Sequence, residues 1–185
     1  MLTTGSGYTV PGAKAAEHSP GLTEPDPALP SGMSLWALLD AEADDAAAHA
    51  GFAVNHPTNL DNIQRHTRHV RHLIDPAAEP NRPMPGREQG VAPTARIMRE
   101  RLDSDAQGLD QESRRIVEDT LRRTLGLSDG ILENCAAIVA ASSAEDAIAL
   151  ARANKTLLEI MRDGNQETGP QPGLTLLRRV LNAPD

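Results

Sequence analysis

With 185 residues and a formal net charge of −8, the chain is long enough for one domain with a sizeable core, and too acidic for a general nucleic-acid binder, whose affinity comes largely from neutralising phosphates. Only three aromatic residues occur, Tyr8, Trp36 and Phe52, which argues against a β-sandwich or barrel, since strands favour aromatic and β-branched side chains. A single cysteine, Cys135, excludes an internal disulfide framework, and no run of about 18 apolar residues is present to span a membrane.

The first residues, MLTTGSGYTVPGAK, lack a basic stretch followed by an apolar one. The sequence as given therefore reads as cytoplasmic, or as periplasmic if a leader has been removed. Residues 1–33 are rich in Pro, Gly, Ser and Thr and form the first unit, a flexible or surface-draped arm. Residues 34–185 form the second, a helical domain.

Ser34 is a good N-cap for a first long helix running to about Val54. Its clean apolar stripe is Trp36, Leu39, Ala43, Ala46, Ala50 and Ala53, so Glu42, Asp45 and His49 are expected to border the core. Asn55-His56-Pro57 is a turn, because proline disfavours helix at the residue before it. A second helix over about 58–74 places Leu60, Ile63, Thr67, Val70 and Ile74 on one face. At 100° per residue His66 lies about 60° from Ile63 and His69 about 120°, while His72 points to the opposite, solvent side. The short connection makes the pair an antiparallel hairpin.

Residues 75–93 carry five prolines and are expected to form a long loop. A short helix over about 94–106 follows. The next, over about 109–125, ends at Gly126, and another starts at Ser128, although the two also read as one kinked helix. Ser143 with Asp146 opens a helix over about 143–163 that stops at Gly164, and a last short helix covers about 173–182. Cys135 falls on an apolar stripe and is expected to be a buried core residue, and Asn154 is expected to set packing register. The fold class is all-α: a bundle of four principal helices with a Pro-rich arm and a Pro-rich loop.

The unusual feature is histidine placement. Five of the six histidines, at 49, 56, 66, 69 and 72, lie within residues 49–74, and none follows His72. Histidine is the commonest transition-metal ligand. His66 and His69 are three residues apart on one helix, within reach of a single ion, and the hairpin turns His49 or His56 towards them. Asp45 and Glu42, one and two turns before His49, are candidate carboxylate ligands or orienting groups. Such a nitrogen and oxygen set suits copper, zinc or nickel. Non-covalent haem between His49 and His66 or His69 is the other metal reading, with Arg65 or Arg68 meeting propionates, although the scarcity of aromatics leaves few apolar walls for it. The row Arg65, Arg68 and Arg71 could grip an anionic partner, but is first expected to balance the acidic remainder.

The pattern H-A-x-x-A-x-x-H over 49–56, followed by L-x-x-I-x-x-H-x-x-H-V over 60–70, resembles small His-rich helical metal-binding proteins of bacterial periplasms. That resemblance implies a helical bundle that buffers or carries copper and related metals, with His49, His56, His66 and His69 as ligands. The chain departs from it in having no histidine in its second half, which confines a site to one helical hairpin.

The leading functional expectation is thus a non-catalytic transition-metal buffer or carrier. The alternative is a structural or adaptor bundle that docks a protein partner through its N-terminal arm. An enzyme ranks last: no base, nucleophile and stabiliser can be assembled, and no P-loop or dinucleotide fingerprint occurs.

Overall fold

Capping side chains mark where most of the long helices begin. Ser34 accepts from the Ala37 amide at 3.1 Å, Asn59 from Asn62 at 3.0 Å, Asp110 from Ser113 at 2.7 Å and Ser143 from Asp146 at 3.1 Å. Each satisfies a backbone N–H that the first turn leaves without a partner. The computed structural model describes residues 20–29, 32–80, 89–105, 108–165 and 171–181. Among them are seven α-helices and no β-strand. They are α1 (Pro20–Thr23), α2 (Leu35–Val54), α3 (Leu60–Ile74), α4 (Val91–Asp105), α5 (Gln111–Ala140), α6 (Ala144–Asp163) and α7 (Leu174–Leu181). The protein is all-α.

The alanine stripe of α2 is buried along its whole length, from Trp36 at 2% exposure to Ala53 at 2%. Small side chains let neighbouring backbones approach closely, and α2 packs against α3, α4 and α6. On α3 the expected face is buried at Ile63, Thr67, Val70 and Ile74. The amide of Gln64 reaches the carbonyls of Ile138, Val139 and Ala141 at 3.0–3.3 Å, tying α3 to the end of α5. Cys135 is fully buried, and burial pushes its thiol up to about 12, so it remains an inert thiol. Asn154 receives a hydrogen bond from Asn134 at 2.9 Å and donates to the Cys135 sulfur at 3.3 Å, a polar lock in the α5/α6 seam.

Several expectations are corrected. The helix expected either to end at Gly126 or to join the next as one kinked helix runs unbroken for 30 residues, from Gln111 to Ala140. Its buried residues Val117, Leu121, Thr124, Ser128, Ile131, Cys135 and Ile138 alternate three- and four-residue steps straight through Gly126. A continuous stripe outweighs the roughly 1 kcal/mol that an interior glycine costs a helix. Helix α4 starts at Val91, with Pro93 in its first turn, where the missing N–H is harmless. Of the expected loop over 75–93, Pro76–Ala78 forms a 3-10 turn, and 81–88 lie outside the described residues. Gly164 does end α6, at φ +81°, and a Cβ there would meet the Gln171 carbonyl oxygen at 2.1 Å.

His72 is not on a solvent face. It is 4% exposed, with Nδ1 at 3.4 Å from the Glu79 carbonyl oxygen. The segment after α3 folds back over the last turn, and Glu79 pairs with Arg71 at 3.1 Å and Arg68 at 3.5 Å. A helical wheel cannot foresee a loop that returns to cover its polar side.

Residues 1–19 lie outside the described residues. From Pro20 the chain lies along the helices. Leu22 on α1 is fully buried in the same cluster as Trp36, Met98 and Leu102, and Asp26 pairs with Arg101 on α4 at 3.0 Å.

Candidate metal centre

Helices α2 and α3 are joined by the turn over 55–59, and their contacts run antiparallel: Asn62 reaches the Phe52 carbonyl, and His66 and His69 reach His49 one and two turns further along. His49 sits near the end of α2 because the alanine stripe beside it is drawn into the core, which leaves its ring half-buried at the edge. On α3 the burial of Ile63, Thr67 and Val70 turns His66 and His69 towards α2.

The three rings converge. His49 Nδ1 lies 3.1 Å from His66 Nδ1 and 3.3 Å from His69 Nδ1. Ring centroids are 5.3 Å apart for 49/66, 4.5 Å for 49/69 and 5.8 Å for 66/69. One ligand atom from each residue lies within 4.8 Å of the other two, and among the described residues this is the group of three or more metal-ligating side chains that meets so closely. A tetrahedral ion with metal–nitrogen bonds of about 2.0–2.1 Å sets its ligand nitrogens about 3.3–3.4 Å apart. The two separations from His49 Nδ1 lie at that value for His69, 3.3 Å, and slightly below it for His66, 3.1 Å.

The protons these nitrogens carry decide whether the rings bond to one another or share a cation. A neutral imidazole nitrogen carries either one in-plane lone pair or one proton. His49 Nδ1 faces both other rings, as acceptor to each or as donor to one, and a cation among the three would engage a lone pair from each.

The local field works against protonation. Burial, then the neighbouring His66, holds His49 below the usual histidine value, with Asp45 opposing. Burial, then Arg65, His69 and His56, holds His66 below it as well. Neutral imidazole is the metal-binding form, and burial favours that form at His49 and His66. The sign for stability follows. Groups depressed in the folded state contribute no penalty above the unfolded value of about 6.5, and below it the unfolded chain binds more protons than the native one. The metal-free protein should therefore lose stability as pH falls from 7.5 to 5.5, a window above ordinary carboxylate titration. Urea midpoints at those two pH values should fall for the wild type and fall less for a His49/His66/His69 triple alanine variant. Equal slopes for the two proteins would contradict this electrostatic picture.

The other candidates from the sequence are placed differently. His56 is exposed on the turn, outside the group of three. Asp45 is half-buried and acts on His49 electrostatically. Glu42 is fully buried, two turns from His49, where it had been expected only to border the core. Sequence reasoning missed Phe52, which is 47% exposed and packs its ring against His49 and His66 at centroid distances of 5.7 and 5.4 Å. It also missed the pairing of Asn62 with Arg65, whose i, i+3 spacing was the available signal.

Comparison with protein-family models, with curated proteins and with solved structures finds no match for this chain.

Proposed function

We propose that this protein binds one divalent transition-metal ion through His49, His66 and His69 and serves as a non-catalytic buffer or carrier. The observation that carries this reading is the convergence of three imidazole nitrogens from two helices, at 3.1 and 3.3 Å about His49 Nδ1. Three nitrogen ligands suit Zn(II) or Cu(II), and they leave a coordination position open at a half-buried site. An open position favours exchange with solvent or an acceptor over permanent structural retention. Asp45 supplies negative charge beside His49, and His56, which acts on His66 electrostatically, offers the next imidazole. Glu42, deep in the core, is left out of the ligand set. The long helices α2, α3, α5 and α6 act as the bundle that holds the hairpin in shape.

An ion is favoured over haem. Haem would need large apolar walls, and among the described residues Phe52 is the aromatic carbon ring packed on these imidazoles. The adaptor reading is weakened where it relies on Pro20–Thr23, since Leu22 is already engaged in the protein's own core.

Equilibrium dialysis of tag-free protein against Zn(II) and Cu(II), followed by metal analysis, tests the proposal. One ion per chain is expected, with a thermal midpoint that rises with free metal by mass action. Fewer than one ion in ten chains with either metal, at concentrations that saturate ordinary three-histidine sites, ends it.

A further inference from the structure

The far side of His66 faces an arginine. Arg65 Nη2 lies 3.4 Å from His66 Nε2 and donates to Asn62 Oδ1 at 3.0 Å. Asn62 in turn donates from Nδ2 to the Phe52 carbonyl at 3.0 Å, which fixes the orientation of its amide and aims Oδ1 at the guanidinium. Guanidinium nitrogens only donate. The Arg65 contact is therefore a hydrogen bond only when Nε2 carries a lone pair, which puts the proton of the neutral His66 ring on Nδ1. There it points at His49 Nδ1, 3.1 Å away. The donors form one directed chain: Asn62 to Phe52, Arg65 to Asn62 and His66, and His66 to His49.

A metal ion on His66 Nδ1 reverses this. The proton of the neutral ring must move to Nε2, and a donor then faces a charged donor. Metal-bound histidines ordinarily present their distal N–H to a carboxylate or carbonyl oxygen, which strengthens the ligand. Here the position beyond the distal nitrogen holds a cation instead. Resting on the metal reading above, we propose that Arg65 is the affinity-setting residue of the site: it favours the His66 tautomer that does not bind metal and must swing away for an ion to enter. The empty and loaded arrangements then exclude one another, and the ion that fits such a site is an exchangeable one, held for transfer.

Arg65 is exposed, so its replacement leaves the fold in place. Arg65→Met removes the opposing donor, and Arg65→Gln puts an amide carbonyl within reach of Nε2–H. Zn(II) affinity, read by competition with a chromophoric chelator, should rise about tenfold in Arg65→Met and further in Arg65→Gln, on the scale by which groups beyond the ligands tune metal sites. Independently of any metal, nitrogen-15 chemical shifts of His66 in the empty protein should report the proton on Nδ1 in the wild type, and a shift of population to Nε2 in Arg65→Met. Zn(II) binding by the wild type with no gain in either variant, or an unchanged His66 tautomer, overturns this inference and leaves the metal reading standing. Absence of Zn(II) binding in wild type and variants alike overturns both.

Discussion

On the proposed metal reading, His49→Ala should lower metal affinity by at least about a hundredfold, the largest effect expected of any single substitution in the site. His49 is the ring that both others approach, at 3.1 and 3.3 Å, and it alone represents α2 in the group. Without it His66 and His69 remain as an i, i+3 pair on one half-buried helix face, a bidentate site of the kind many helices offer. Replacing groups that merely support a ligand costs 10–100-fold, so loss of the ligand that joins two helices lies at or beyond the upper end of that range. The fold should persist, since the ring is only half-buried. Competition with a chromophoric chelator reads the change, and affinity within about threefold of the wild type would show that α2 takes no part in coordination.

Leu22→Ala should destabilise the protein by about 2–3 kcal/mol, as measured by urea unfolding. The side chain is fully buried against residues of α2 and α4, and truncating such a leucine costs about 2–5 kcal/mol through lost transfer and the cavity left behind. The lower half of that range is expected because α1 is only four residues long and can detach, which caps the loss at whatever its docking contributes. The Asp26–Arg101 pair adds little, being partly exposed to solvent. A change below about 0.5 kcal/mol would mean that the segment rests on the helices without stabilising them.

Helical periodicity made much of this protein legible. The stripe from Trp36 to Ala53, the cap at Ser34 and the stop at Gly164 are local features, written in residues three or four apart, and each stands where it was expected. The convergence of His49, His66 and His69 was legible for the same reason: a short turn between two amphipathic helices leaves few ways to arrange them. What could not be read depended on residues far apart in sequence or on one pattern outweighing another. His72 is buried because Glu79 returns over it, and nothing in the α3 wheel records that return. Gly126 read as a stop or as a kink because glycine often makes either, and the stripe on both sides, which keeps one phase, carries the helix through. Arg65 read as charge balance, and only its distances to Asn62 and His66 give it a bearing on the imidazoles.

Calorimetric titration of Zn(II) and Cu(II) into tag-free wild-type protein and into the His49/His66/His69 triple alanine variant, at pH 7.5, tests the metal centre most directly. One ion per chain in the wild type, and at least about a hundredfold weaker binding in the variant, is the predicted result. Equal binding by the two proteins, or none by either, would contradict it.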